Sequence, residues 1–149
     1  FGATKNGAMG AEAVVVLNPA LKASETLGYI RKQYMQLASK MRFISAQFIA
    51  LFEDDLWRAN AEHSNSMAQY LASKVAGIPG VTITQAVEAN AVFAIIPAAI
   101  TPALQEVMPF YVWNESTNEV RWMCSWDTTT EDIDAFVSAL TLLATGNGA

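Results

Sequence analysis

The sequence is short of charge. Charged residues make up 15% of the 149 residues, against about 25% in typical soluble domains. Hydrophobic residues make up 52%, so the chain has few polar side chains with which to cover a surface. We therefore expect part of its surface to contact other protein surfaces.

Cysteine and histidine are nearly absent. The single cysteine, Cys124, cannot form a disulfide within the chain. The single histidine, His63, leaves no Cys/His cluster with the spacing of a zinc site. We expect no bound metal, and this cysteine usage fits a reducing cytoplasm.

Two classes of partner are excluded by what is missing. The longest apolar stretch, residues 91–100, is interrupted by Pro97 and is about half of the roughly 20 residues that a membrane span needs. The net charge is -5, and the nine basic residues are scattered along the chain, which is unlike a nucleic-acid-binding surface. The chain opens with Phe1 and without a signal-peptide pattern, so we expect a cytoplasmic protein and a fragment of a longer one.

The first half of the chain is predicted to be mainly helical. A glycine-rich loop over residues 1–10 precedes a β-branched run that predicts a buried strand. Apolar periodicity then predicts three helices, and Gly77 followed by Pro79-Gly80 predicts the stop of the third. The predicted ranges are Ala13–Leu17 for the strand, and Ala20–Ser39, a segment from Phe43 to about residue 53, and Leu56–Val75 for the helices.

The second half mixes strands and helices, which predicts a small open α/β or α+β layer with helices covering one face of a short sheet. Strands are predicted at 81–84 and 91–96, a short helix at 101–107, and a hairpin from 111–113 and 120–126. Thr128 and Glu131 match a capping box. A final helix follows, with an apolar stripe formed by Ile133, Phe136, Val137, Leu140 and Leu143.

Lys5 is the first candidate for chemistry. It lies between Gly2 and Gly7, and the ordinary interpretation of such a lysine is a solvated loop residue. A lysine can also attack a carbonyl group if its amine is neutral, which requires desolvation or a neighbouring cation. A tight loop beside a buried strand could supply the desolvation.

Several segments carry a resemblance to a known family. They read Phe-Gly-Ala-Thr-Lys-Asn-Gly at 1–7, Gly-Ala-Glu-Ala-Val-Val-Val at 10–16, Lys-Met-Arg at 40–42 and Val-Arg-Trp-Met-Cys-Ser-Trp-Asp at 120–127. These segments resemble the low-specificity L-threonine aldolases, β-eliminating lyases among the fold-type-I enzymes that use pyridoxal 5'-phosphate. The resemblance covers the whole chain but only the C-terminal half of the family.

The resemblance implies a fold and an activity. It implies the C-terminal part of an aminotransferase-like fold, in which residues 1–54 end the large cofactor-binding domain and 55–149 form a connecting helix and a small α/β domain. It implies a lyase of amino acid metabolism that splits the Cα–Cβ bond of β-hydroxy-α-amino acids, turning threonine into glycine and acetaldehyde. The enzyme would be a homodimer or homotetramer, and this chain alone would be inactive without the N-terminal half.

The resemblance also implies roles for three residues. Lys5 would hold pyridoxal phosphate as a Schiff base and act in catalysis. Arg121 would bind the substrate carboxylate, which suits a guanidinium that can make two parallel hydrogen bonds. Arg42, at a predicted helix N-terminus, would reach the cofactor phosphate of a partner subunit.

Each role has an ordinary alternative. Arg121 could be an edge-strand arginine with its stem packed and its head in water. Arg42 could be a plain solvated cation, and Arg31, Lys32 and Lys40 compete for its match. The whole chain could belong to another pyridoxal-phosphate lyase or a transaminase, or it could be a non-catalytic interaction domain.

Other conspicuous residues are given structural roles. We expect His63 to lie on the surface of a helix or to cap one, and Cys124 to be a small buried hydrophobe. Glu53, Asp54 and Asp55 are consecutive and are predicted to mark a helix boundary. The two rings of Trp122 and Trp126 share a strand face and indicate core or interface.

Overall fold

The computed structural model describes residues 1–22 and 26–146, without the side chain of Lys22. The chain forms two compact units, Phe1–Arg58 and Ala59–Ala149, which we call the N-terminal and C-terminal units. The expected division into residues 1–54 and 55–149 concerns the domains of a longer protein, and it stays a prediction.

The N-terminal unit is helical apart from its opening loop. A 3-10 turn at Thr4–Asn6 is followed by α1 (Pro19–Lys22), α2 (Thr26–Gln33) and α3 (Met41–Phe52). The single helix predicted over 20–39 is wrong at its C-terminal end, because Met35 takes a left-handed φ of 57° and the Gln36 N–H bonds back to Arg31. Residues 23–25 of that predicted helix lie outside the described residues.

The buried strand predicted at Ala13–Leu17 is also wrong. The segment belongs to none of the described strands, and Val14 is 90% exposed. A β-branched run becomes a strand only where neighbouring strands pair with it and cover it. The nearest pairing within the described chain is a single isolated bridge between Gly2 and Glu12.

The third predicted helix is confirmed at both ends as α4 (Leu56–Val75). It follows a turn at Glu53–Asp55 in which Asp54 and Asp55 both take left-handed φ angles, 53° and 57°. Aspartate tolerates this conformation better than most residues. The Asp55 carboxylate accepts a hydrogen bond of 2.6 Å from Arg58, so these acids mark a helix boundary, as predicted.

A four-stranded antiparallel sheet forms the centre of the C-terminal unit. Its strands are β1 (Thr82–Ile83), β2 (Ala91–Ile95), β3 (Tyr111–Asn114) and β4 (Glu119–Met123), and their order across the sheet is β1-β2-β4-β3. The short helix between β2 and β3, α5 (Thr101–Val107), matches its predicted bounds. This mixture of strands and helices confirms the α/β class.

One side of the sheet forms the core. Val92 and Ala94 of β2 and Val120 and Trp122 of β4 are buried, and they belong to one cluster with residues of α4, α5 and α6 (Thr130–Ala144). The alternate residues of the same strands point to the opposite face, because side chains alternate along a strand. Trp126 lies beyond the end of β4 and is exposed, so the expected pair of rings on one strand face is wrong.

The capping box of α6 lies one residue later than predicted. Thr129 accepts a hydrogen bond from the Asp132 N–H at 3.1 Å, and the Asp132 carboxylate accepts from the Thr129 N–H at 2.9 Å. Thr128 does not cap the helix, because its hydroxyl accepts a hydrogen bond from the Ser125 N–H. The bonds from the Thr129 hydroxyl and N–H lower the pKa of the Asp132 carboxyl.

The predicted apolar stripe of α6 is confirmed. Ile133, Phe136 and Leu140 are buried, while Val137 and Leu143 are half-buried against the core. Phe136 meets Trp122 edge to face, with ring centroids 5.2 Å apart. The helix is therefore attached to the sheet through aromatic contacts at the centre of the core.

Truncation of one core leucine tests this packing. Leu140 is fully buried and Leu142, on the same helix, is 49% exposed. We expect Leu140→Ala to lower the free energy of unfolding by about 2–5 kcal/mol, because it leaves a cavity. Leu142→Ala is the control and should change that free energy by less than about 1 kcal/mol. Urea unfolding followed by circular dichroism measures both, and equal losses would contradict this description of the core.

Candidate active site

Lys5 lies in a closed loop, residues 1–13, which we call the lysine loop. The Ala3 N–H donates to the Ala11 oxygen at 2.8 Å, and Gly2 and Glu12 form a β-bridge. Lys5 itself sits in the 3-10 turn, which ends at Gly7 with a φ of 99°. That conformation favours glycine, so the motif's second glycine is needed for the turn that carries the lysine.

The lysine loop is anchored on α3. The Gln47 side-chain oxygen accepts from the Met9 and Gly10 N–H groups at 2.8 and 3.3 Å, and its amide nitrogen donates to the Phe43 oxygen at 3.2 Å. Apolar contacts add to this, since Ala3 and Ala11 are buried in one cluster with Leu51. Gln47 was not predicted, because a single glutamine on a helix produces no recognisable pattern.

The 3-10 turn that contains Lys5 is held by a hydrogen bond of its own. The Asn6 side-chain nitrogen donates to the Trp57 oxygen at 2.8 Å. The residue after the lysine is therefore tied to the first turn of α4, on a segment 51 residues away in sequence. Together with Gln47, this bond holds the backbone that follows Lys5, and the bond from the Ala3 N–H to the Ala11 oxygen holds the backbone before it.

The side chain of Lys5 is exposed. It takes part in neither of the two ion pairs found among the described residues, Arg58–Asp55 and Lys74–Asp134. The predicted strand at Ala13–Leu17 does not form, so the described residues do not supply the desolvation that we expected from it. The role of Lys5 as a cofactor ligand stays a prediction.

Arg42 is the second residue of α3 and is also exposed. The residue before the helix, Lys40, makes no side-chain capping bond, and the first turn carries no acidic residue. The Phe43 N–H donates to the Lys40 oxygen at 3.1 Å, and the positive end of the helix dipole favours an anion at this turn. Both the phosphate role and the solvated-cation alternative remain compatible with this position.

Arg121 lies on β4, between β2 and β3, so the edge-strand alternative is wrong. Its register partners are Phe93 of β2 and Tyr111 of β3. Its guanidinium carbon is 4.7 Å from the ring centroid of Trp113 and 5.8 Å from that of Tyr111. The Nε atom is buried and has no hydrogen-bond partner within the described chain.

The three predicted residues divide between the two units. Lys5 and Arg42 belong to the N-terminal unit, and Arg121 belongs to the C-terminal unit. The aromatic side chains around Arg121 were not predicted. An alternation of aromatic residues in β3 was visible in the sequence, but the pairing of β3 with β4 that brings them to Arg121 was needed to interpret it.

The remaining candidates have structural roles. The His63 Nε2 atom donates to the Thr128 oxygen at 2.8 Å, which ties α4 to the loop before α6. Cys124 is buried, and burial raises the pKa of its thiol to about 11. Among the described residues, no group of His, Cys, Asp and Glu side chains could hold a metal ion.

Comparison with known proteins identifies relatives in sequence. No protein-family model matches the chain. It is 46% identical over 129 residues to a protein of a Pseudomonas species and 41% identical over 134 residues to one of Pseudomonas aeruginosa, both called low specificity L-threonine aldolase. These matches cover 86% and 89% of this chain but only 36% and 38% of the relatives.

The structural comparison finds the same kind of relative as the sequence comparison. A solved structure of Leishmania major threonine aldolase superposes with a TM-score of 0.82 at 29% identity, covering 96% of this chain and 42% of that one. The fold class expected from the resemblance is thereby confirmed. The chain spans less than half the length of each of these relatives.

Cys124 lies within one of the matching segments, and its reactivity can be tested. Because the pKa of the thiol is raised to about 11 by burial, we expect almost no thiolate at pH 8. Iodoacetamide should therefore leave the Cys124 peptide unlabelled at pH 8 in the folded protein and label it fully after denaturation. Peptide mass spectrometry measures the labelling, and rapid labelling at pH 8 would show an accessible thiolate.

The role of Gln47 as an anchor is also testable. Gln47→Leu removes the acceptor of two N–H groups, and we expect amide exchange at Met9 and Gly10 to accelerate roughly twofold to tenfold, the effect of losing one net hydrogen bond. Gln47→Glu keeps an acceptor oxygen and should preserve most of the protection. Gln33→Leu, on exposed α2, serves as the matched control, and hydrogen exchange with mass spectrometry distinguishes the three. Unchanged exchange in Gln47→Leu would contradict the anchoring.

Proposed function

We propose that this chain, which belongs by sequence and fold with the low specificity L-threonine aldolases, is part of a pyridoxal-phosphate lyase that cleaves threonine to glycine and acetaldehyde. The observation that carries the proposal is Arg121. Its charge is paired with no acid in either ion pair of the described residues, and a substrate carboxylate would neutralise it. The matching relatives carry this activity in their names.

The residues present fit the cofactor. Lys5 offers an exposed amine on a loop whose backbone is held by hydrogen bonds from Ala3, Asn6 and Met9, and would hold the cofactor covalently through Nζ. Arg42 offers a guanidinium at the positive end of the α3 dipole, and would bind the phosphate, either in its own subunit or in a partner subunit. When bound, pyridoxal phosphate supplies the electron-accepting ring that Cα–Cβ cleavage requires.

Arg121 would bind and orient the amino acid. A guanidinium can donate two parallel hydrogen bonds to a carboxylate, which fixes both the position and the rotation of the substrate. That rotation decides which bond at Cα is placed for cleavage. Orientation of this kind is a major part of what a protein contributes to catalysis.

The N-terminal portion of the same protein is the first proposed partner. The chain spans 36% and 38% of its two relatives, and the segment predicted to be a buried strand is exposed, with Val14 at 90% and Leu17 at 83%. A pairing of residues 13–17 with strands from the remainder of the protein would bury these side chains. It would also bring the lysine loop next to a folded sheet and desolvate Lys5.

The assembly and location are proposals as well. Large apolar side chains are exposed on α2, on α3 and between them, which is typical of surfaces buried in an oligomer. We propose a homodimer or homotetramer in the cytoplasm. Within residues 1–22 and 26–146, no helix is long and apolar enough to cross a bilayer.

The full-length protein tests the proposal. Loaded with pyridoxal phosphate, it should convert L-threonine to glycine and acetaldehyde, and borohydride reduction should leave the cofactor attached to the Lys5 peptide. Lys5→Ala should lose the adduct and at least about a hundredfold in kcat, because the covalent attachment is gone. Lys74→Ala, an exposed lysine of the other unit, is the control and should keep both.

The products separate the alternatives. Ammonia and a keto acid in place of glycine and acetaldehyde would indicate a β-eliminating lyase, and amino transfer to a keto acid would indicate a transaminase. A full-length protein that forms no adduct at Lys5 and turns over no amino acid would leave the interaction-domain alternative. The 149-residue chain alone is expected to be inactive.

A further inference from the structure

We infer that Trp113 is a positioning residue for Arg121, with Tyr111 as its second ring, and that the two rings hold the guanidinium ready for a substrate carboxylate. The inference rests on the proposed function and adds residues that the family resemblance did not supply. It is carried by the contacts that surround Arg121 on the outer face of the sheet.

The strand register brings these side chains together. Tyr111 of β3 and Phe93 of β2 lie directly opposite Arg121 of β4, on the two sides of it. The register of β3 against β4 is irregular between Val112 and Asn114. The contacts of Trp113 with Arg121 and with Phe93 place its ring on the same face as Tyr111. Phe93 meets the Trp113 ring edge to face, with centroids 5.4 Å apart and planes 76° apart. Trp113 is thereby held against β2 from across β4.

The guanidinium lies over this held ring. Its carbon is 4.7 Å from the Trp113 centroid and 5.8 Å from the Tyr111 centroid, within the range in which a cation is attracted to an aromatic ring. Contact with a ring restricts the rotation of the planar group and leaves its N–H edge for hydrogen bonding. The rings of Trp113 and Tyr111 thus reduce the conformational freedom that the Arg121 side chain would lose when a carboxylate binds.

The charge of Arg121 is not neutralised by a described acid. Both ion pairs found in the described chain involve other residues, and the Glu119 carboxylate, two residues before Arg121 on β4, accepts from the Thr84 hydroxyl. The rings hold the guanidinium without using its hydrogen-bond donors. Aromatic contacts therefore suit this position better than a carboxylate would, since an acid would compete with the substrate.

The kinetic test uses the full-length enzyme loaded with pyridoxal phosphate. Trp113 is 54% exposed, so its truncation leaves the core intact. We expect Trp113→Ala to raise the KM for L-threonine about threefold to thirtyfold, the range expected for one cation–π contact, while kcat changes less than twofold. Trp113→Phe keeps a ring and should recover most of the loss. Trp126→Ala, which removes an exposed tryptophan beyond the end of β4, is the matched control.

A double-mutant cycle tests whether Trp113 acts through Arg121. In an Arg121→Gln background the guanidinium is gone, so adding Trp113→Ala should have no further effect on KM. An effect of Trp113→Ala as large in that background as in the wild type would overturn the inference, because the ring would then contribute independently of the arginine.

A binding measurement gives a readout that does not depend on turnover. Calorimetry compares glycine, which has a carboxylate and no Cα–Cβ bond, with ethanolamine, which has the amine and no carboxylate. Trp113→Ala should weaken glycine binding threefold to thirtyfold and leave ethanolamine binding unchanged. Equal losses for both ligands, or no loss for either, would overturn the inference.

The outcomes separate this inference from the proposed function. If the wild-type enzyme cleaves threonine and Trp113→Ala behaves like the wild type, the proposed function stands and the positioning role of Trp113 is wrong. If the wild-type enzyme produces no glycine from threonine but binds glycine in a Trp113-dependent manner, the aldolase proposal is wrong and the positioning role of Trp113 stands.

Discussion

The alternation of side chains along β4 is the constraint on which the C-terminal unit depends. Val120 and Trp122 point into the core, and Arg121 between them points to the opposite face. The same alternation continues past the strand, where Cys124 is buried and exchanges two hydrogen bonds with Asn90, both of 2.8 Å. A shift of one residue would bury the guanidinium in an apolar core and expose the tryptophan. The position of the arginine is therefore stabilised by the burial of its neighbours.

The lysine loop depends on a different kind of support. Among the described residues its buried cluster consists of Ala3, Ala11 and Leu51, with three half-buried side chains packed against it, which is far smaller than the core of the C-terminal unit. Directed hydrogen bonds from Gln47 and Asn6 complete the attachment to the helices. The C-terminal unit is thus held by its core, whereas the loop that carries Lys5 is held by polar contacts together with a small apolar cluster and the contacts of Phe1 with two rings of α3. Such contacts leave the amine itself uncovered.

The exposed apolar surface of the N-terminal unit follows from the composition of the chain. With 15% charged residues, the chain cannot cover both units with polar side chains, and the apolar excess lies on α2, on α3 and on the segment around Val14. The C-terminal unit, in contrast, encloses most of its apolar residues in one cluster. This difference agrees with the match to proteins more than twice as long, whose remaining residues would cover that surface.

Local patterns were sufficient where the signal lies within a few neighbouring residues. The bounds of α4 and α5 and the apolar stripe of α6 were predicted from periodicity and stop signals, because helical contacts are local. The candidates Lys5, Arg42 and Arg121 came from short motifs and a family resemblance. The strand at Ala13–Leu17 was mispredicted because its burial requires strands that the described residues do not provide. Only the tertiary structure showed Gln47 under the lysine loop and Trp113 against Arg121, since each pair is joined by contacts between segments that no sequence period relates.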